Sequence, residues 1–285
     1  MVSGSPVDSK PMMNTPLKKT YALGLEYNGR AFCGWQVQPD QPTVQAGLER
    51  ALSAFLDEPV ATFCAGRTDT GVHATSQVVS IETAVVRSPQ SWVRGVNAHL
   101  PEGIAVRWAL EVPEGFNARF SAKSRIYEYW LNNDPVRSPL LTGRTGWCFR
   151  PLDVELMRGA SRVLLGTHDF TSFRASQCQA ATPVRTIERI EFTERMGLIG
   201  IRFQANAFLH HMIRNIVGSL VYVGTGRESP EWLARVLEAR NRSVAAPTYS
   251  PDGLYFTGVA YPEIPGSGRS RSPFGWEDPA PADAI

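Results

Sequence analysis

Tyr21, Leu23, Leu25 and Tyr27 alternate with smaller or polar residues, and Ile104, Val106, Trp108 and Leu110 repeat that two-residue period. Side chains along a strand point to opposite faces at every second residue, so each run marks a strand with one face to bury. A third run, Arg125 to Leu131, sets Tyr127, Tyr129 and Leu131 on one side. Such strands must pair and cover their apolar face, which confines the chain to folds built on a sheet.

Helices fall between these strands. Val44, Leu48, Leu52 and Phe55 recur at helical spacing over 44–56. A second helix starts with Ser88 as N-cap and Pro89 in its first turn, and stops before Pro101. In the second half, Asp153 caps a helix closed by Gly166, and strands over 185–193 and 198–205 are expected to form a hairpin. The longest helix is expected over about 208–223, with Phe208, Met212, Ile216 and Leu220 as its core stripe. A helix capped by Ser229 and Pro230 and a strand over 254–261 complete the body. The pattern predicts an α+β fold of two similar domains, 19–114 and 115–262, each an antiparallel or mixed sheet with helices packed mainly on one face. Residues 1–18 and 263–285 are rich in Pro, Ser and Gly without periodicity and are expected to be disordered tails.

With 43% hydrophobic and 20% charged residues the chain is ordinary for a globular protein, which argues against wholesale disorder. Its net charge of +2 is too mild to demand a nucleic-acid partner, yet leaves room for a local basic face. Cys33, Cys64, Cys148 and Cys178 stand far apart with no C-x-x-C pair, as free thiols in a reducing compartment do. No apolar run reaches the roughly 18 residues of a membrane helix, and the first residues lack a signal-peptide core, so a cytoplasmic protein is expected.

The segment CAGRTDTGVHA, Cys64 to Ala74, places Asp69 between two glycines and two residues after Arg67. It is too turn-rich for a helix and lies between a short apolar stretch, 61–65, and a returning strand, 77–81, so Asp69 is expected on a loop held by a sheet. Loops on rigid scaffolds carry much of protein chemistry, and a carboxylate near an arginine can stay ionised as a nucleophile. Taken alone, an Asx-turn with a nearby salt bridge explains the same residues.

Five further segments narrow the choice. LEYNGRAFCGWQVQP from Leu25, VNAHLP from Val96, FNARFSAKSRIYEY from Phe116, GTHDFTSFR from Gly166 and NAFLHHMIRNIVG from Asn206 occur in order around AGRTDTGVHA from Ala65. Together they make the chain resemble the bacterial tRNA pseudouridine synthase A family over nearly the whole body, 21–261. The resemblance implies a pseudouridine synthase fold and isomerisation of uridine to pseudouridine at positions 38 to 40 in the anticodon arm of tRNA. It also implies a homodimer that cradles tRNA between its subunits and needs neither cofactor nor metal. By the same resemblance Asp69 is the nucleophile and Tyr127 packs against the target base. Arg67 helps hold the flipped nucleotide, and Arg214 pairs with Asp69. Thr70 departs from the alanine that many members carry, a change of local polarity beside the nucleophile.

The chemistry is compatible with these residues. Pseudouridine formation is redox-neutral, and the sequence has neither G-x-G-x-x-G after a strand nor G-x-x-x-x-G-K. A carboxylate serves each of three routes: attack at C1′, attack at C6, or removal of a ribose proton on a glycal path. A base must leave its stack to be reached, at a cost of a few kcal/mol, and a tyrosine face returns about 1 to 3 kcal/mol by stacking. On its own Tyr127 is read first as a core aromatic, as aromatics at alternate strand positions usually are, and Arg214 as a solvated helix residue, were its helix not so apolar that a cation there calls for a carboxylate. His210 and His211, as helix neighbours, point about 100° apart and are expected to serve packing or polar contacts. His73 and His168 are expected to make local hydrogen bonds, and Asp169 with Phe170 and Phe173 a turn followed by core aromatics. Two other readings compete: an RNA-binding module without catalysis, and a metal-dependent hydrolase built on Asp69, His73 and Asp169.

Overall fold

The computed structural model describes residues 17–277. In chain order its elements are β1 (Lys19–Tyr27), α1 (Val44–Leu56), β2 (Phe63–Cys64), β3 (His73–Thr83), α2 (Pro89–Asn97), β4 (Ile104–Val112) and β5 (Ser124–Asn132). There follow β6 (Gly146–Trp147), α3 (Val154–Ser161), β7 (Gly166–Asp169), β8 (Val184–Arg195), β9 (Leu198–Ala205), α4 (Met212–Gly224), α5 (Pro230–Ala239) and β10 (Leu254–Ala260). Ser88 and Asp153 cap their helices as the sequence suggests, while Ser229 precedes α5 without a side-chain capping hydrogen bond. Thr43, Ser88 and Asp153 accept from the backbone N–H groups of Ala46, Ser91 and Leu156, satisfying donors that the first helical turn leaves open.

The strands form one mixed sheet in the order β4-β1-β3-β10-β5-β9-β8-β7, with β2 added beside β3 and β6 beside β5. The fold is α+β, and the boundary expected between residues 114 and 115 falls in the connection from β4 to β5. What joins the halves is β10. It runs parallel to β3, with Tyr255 opposite His73 and Phe256 opposite Ala74, and antiparallel to β5, with Phe256 opposite Tyr127. The start of β3 and the middle of β5 therefore lie two strand spacings apart, roughly 10 Å.

All five helices deliver their apolar stripes to one core, which also holds Tyr127, Tyr129 and Leu131 of β5. Trp130, which alternation turns to the other face, packs with Leu198, Tyr255, Phe274 and Trp276. The expectation of disorder from residue 263 is therefore corrected for 263–277. Phe274 and Trp276 lie 5.1 and 6.0 Å from the Trp130 ring. Ser270 and Ser272 donate to the buried carboxylate of Glu128 at 2.7 and 2.6 Å. A composition of Pro, Ser and Gly reads as a tail, but two aromatic anchors and two hydroxyl donors fix it to the sheet. Residues 1–16 and 278–285 of the expected tails lie outside the described residues.

One helix boundary also differs. α4 begins at Met212, not near 208, because His211 takes left-handed backbone angles, φ 62° and ψ 2°, which no continuing helix admits.

Candidate active site

Asp69 sits on the short connection from β2 to β3, and each part of that loop is tied down. The Trp35 N–H donates to the Thr68 carbonyl at 3.0 Å, and the Val72 N–H to the Asp69 carbonyl at 3.1 Å. The Gln77 side chain donates to the Gly66 carbonyl at 2.6 Å, and the Thr68 and Tyr27 hydroxyls meet at 2.8 Å. Gly34 comes so close beneath the loop that a Cβ there would stand 2.8 Å from the Thr68 carbonyl oxygen, and Gly71 turns the chain with φ of 81°. Arg125 of β5 donates from Nε and Nη2 to the Ala65 carbonyl, at 3.2 and 3.1 Å, and from Nη1 to the Asn206 carbonyl at 2.8 Å. One guanidinium thus couples the loop of the first half to the segment that leads into α4.

Arg214, on the first turn of α4, donates from Nη1 to Asp69 Oδ2 at 2.9 Å and from Nε to the Tyr249 carbonyl at 2.9 Å. His210 and His211, expected only to serve packing or polar contacts, join them. His210 Nε2 lies 3.3 Å from Asp69 Oδ1, and His211 Nε2 lies 3.4 Å from Oδ2. Burial pushes the Asp69 carboxyl up, but the His210 hydrogen bond, the charge of His211 and the contact with Arg214 together outweigh it and hold Asp69 below its ordinary value. It is an ionised carboxylate at neutral pH. Asp69 shifts His210 the other way, above the usual imidazole range, against the pull of burial, while burial lowers His211.

Tyr127 is buried between Phe208 and Phe256, with ring centroids at 5.1 and 4.8 Å, and a Cβ on Gly66 would lie 3.2 Å from its hydroxyl. Burial drives its phenol far above the ordinary value, and the Asp69 charge adds to the rise, so the group is neutral. Arg67 is exposed beside the loop and holds no ion pair among the described residues. Of the four residues singled out by sequence, Asp69 and Arg214 are in contact, Tyr127 faces the same loop through Gly66, and Arg67 stands toward solvent.

The remaining candidates lie elsewhere. His73 accepts from the Gly29 N–H at Nδ1, 3.1 Å, so its Nε2 carries the proton donated to the Gly143 carbonyl at 3.0 Å, and its ring stacks on Tyr255. Asp169 accepts from the backbone N–H and the hydroxyl of Thr171 as a turn residue. Neither joins Asp69, so the grouping required by a hydrolase is not assembled. Asp69, His210 and His211 do bring three donor atoms within 4.8 Å of one another. The Arg214 guanidinium already supplies the positive charge on that carboxylate, which makes the cluster an ion-pair network.

A sequence profile described as tRNA pseudouridine synthase matches residues 25–121 and 160–262, blocks that contain Asp69, Tyr127-facing Gly66, His210, His211 and Arg214. The chain belongs to the tRNA pseudouridine synthase A family. It is 54% identical over 261 residues to the tRNA pseudouridine synthase A of Bordetella petrii, across 89% of this chain and 97% of that one. It is 55% identical over 262 residues to that of Neisseria meningitidis, across 92% and 99%. As a pseudouridine synthase it is an isomerase, with the pseudouridine synthase fold described above. Among the described residues no helix is long and apolar enough to cross a membrane.

Proposed function

We propose that this isomerase converts uridine to pseudouridine at positions 38 to 40 in the anticodon stem and loop of tRNA, with Asp69 as nucleophile and the target base flipped out of its stack. The observation that carries this reading is an ionised carboxylate on a pinned loop, paired with Arg214 at 2.9 Å and set beside a neutral tyrosine. The tRNA comes from the relatives, each called a tRNA pseudouridine synthase A.

The reaction breaks the bond from ribose C1′ to uracil N1, turns the base, and joins C5 to C1′. The proton of C5 leaves to solvent and N1 gains one, so atoms and electrons balance without an oxidant or reductant. A carboxylate nucleophile splits this difficult exchange into two easier steps. Arg214 keeps Asp69 charged between turnovers, Tyr127 offers a ring to the uracil, and Arg67, exposed on the same loop, holds the displaced nucleotide. The enzyme works in the cytoplasm as a homodimer whose subunits share one tRNA, and requires no cofactor or metal. The test is tritium release to water from tRNA labelled at uridine C5, with the uridines at positions 38, 39 and 40 replaced stepwise by cytidine. Release that stops when those three positions lack uridine supports the assignment; release that persists, or none from any substrate, overturns it.

A further inference from the structure

We infer that His210 and His211 are positioning residues for the Asp69 carboxylate, and that the left-handed backbone at His211 is what aims them. This rests on the reading of Asp69 as the nucleophile. A carboxylate held by one arginine still turns about its Cβ–Cγ bond. Here Arg214 and His211 approach Oδ2, at 2.9 and 3.4 Å, and His210 approaches Oδ1 at 3.3 Å, so both oxygens have a partner that opposes the rotation.

Two consecutive residues of a helix diverge by about 100°. The turn at His211 instead brings the two imidazoles to 4.0 Å between centroids, both toward Asp69. That backbone is unfavourable for any residue with a Cβ. The His211 side chain makes no capping hydrogen bond to α4, so the ring is used on Asp69 and not on the helix end. The segment is anchored from behind, where the His210 carbonyl accepts from the Ala175 N–H at 3.0 Å. The groups facing His210 are Asp69, His211, Arg214 and Cys178. Asp69 favours the protonated form of His210, whereas burial disfavours that of His211.

The test uses the full chain, a C5-tritiated tRNA and three variants. His211→Gly removes the ring and relieves the backbone; its thermal midpoint should be unchanged or higher while kcat falls about threefold, the scale of a lost polar contact at 3.4 Å. His210→Ala should lose about as much or more, and His210→Gln, which keeps a neutral donor, should recover part of it. The ratio of wild-type to His210→Gln kcat should be largest below pH 6.5 and decline as pH rises through the raised His210 value. A lowered midpoint in His211→Gly, wild-type kcat in His210→Ala, or a ratio flat with pH would overturn the inference. Failure of the wild-type protein itself to release tritium would instead sink the reading of Asp69.

Discussion

Arg214 and Asp69 stand 145 positions apart in the chain and meet at 2.9 Å, one on the first turn of α4 and the other on the loop before β3. Their side chains are 13% and 19% exposed, so the pair is shielded enough to matter and open enough for a substrate to reach the acid. It also joins the two halves of the sheet at the point where chemistry is proposed.

Removing Arg214 should therefore act on the charge of Asp69 before it acts on the fold. Arg214→Ala leaves burial opposing ionisation with only the histidines to answer it, so the acid limb of the rate profile should move to higher pH. A loss of about 1.5–3 kcal/mol of charge-assisted hydrogen bonding corresponds to roughly ten- to a hundredfold in single-turnover rate. Arg214→Lys should recover only part, because a lysine cannot hold Asp69 and the Tyr249 carbonyl together. Single-turnover rates against pH for both variants check this.

Tyr127 requires a gentler substitution than truncation. Its ring is packed between Phe208 and Phe256, so Tyr127→Ala should cost about 3–5 kcal/mol of stability and confuse packing with catalysis. Tyr127→Phe keeps the ring. If the hydroxyl moves a proton, turnover falls more than tenfold while tRNA affinity and denaturant midpoint stay near wild type. If only the ring face serves the base, all three stay. Tyr127→Leu, which removes the flat face, should lower turnover in both cases.

The Asp69 and His210 shifts have opposite signs and define a pH window for stability. Asp69 is depressed below 3.8, so its contribution is present above that value and lost as pH falls through its folded value. His210 is raised above 6.5, so its contribution is complete below 6.5 and lost as pH rises through its folded value. The stability difference between wild type and His210→Gln should therefore be greatest between about pH 4 and 6.5 and shrink on both sides. Urea midpoints measured across that range follow it directly.

Much of this architecture is legible in the residues themselves. Period-two runs mark β1, β4 and β5, and Ser88 and Asp153 are ordinary caps whose effect is local. The position of β10 between β3 and β5 is not legible, because strand order depends on pairing across more than a hundred residues. The convergence of His210 and His211 is hidden for a more particular reason. Phe208 and Met212 keep helical spacing across the break, and the left-handed residue is a histidine, not the glycine that usually announces such a turn. The segment 263–277 is hidden by composition, since its few aromatic anchors are outnumbered by Pro, Ser and Gly. Arg214 was readable because a cation on so apolar a helix calls for an acid.

Glu128 and Arg202 form a second buried pair, 0% and 3% exposed, on the face opposite the helices. Arg202 donates to Glu128 Oε1 at 2.9 Å from Nη2 and 3.1 Å from Nε, and the Trp130 indole and two serines of the C-terminal segment donate to the same carboxylate. Glu128→Ala removes the buried carboxylate from Arg202, which keeps Glu191 at 3.8 Å and the Trp276 carbonyl at 2.8 Å, and should destabilise the protein by about 2–4 kcal/mol. Truncation after residue 268 should destabilise it too, by removing the serines and exposing Trp130. Denaturant melts of both variants decide whether the segment is structural.

If Asp69 is the nucleophile, its negative charge is indispensable to turnover. Asp69→Asn keeps the shape of the side chain, including an oxygen for Arg214, and removes the charge. The decisive measurement is tritium release from C5-labelled tRNA by this variant, alongside its tRNA affinity. Near wild-type affinity with no pseudouridine formed is expected; appreciable release from the purified variant would rule out Asp69 as the nucleophile.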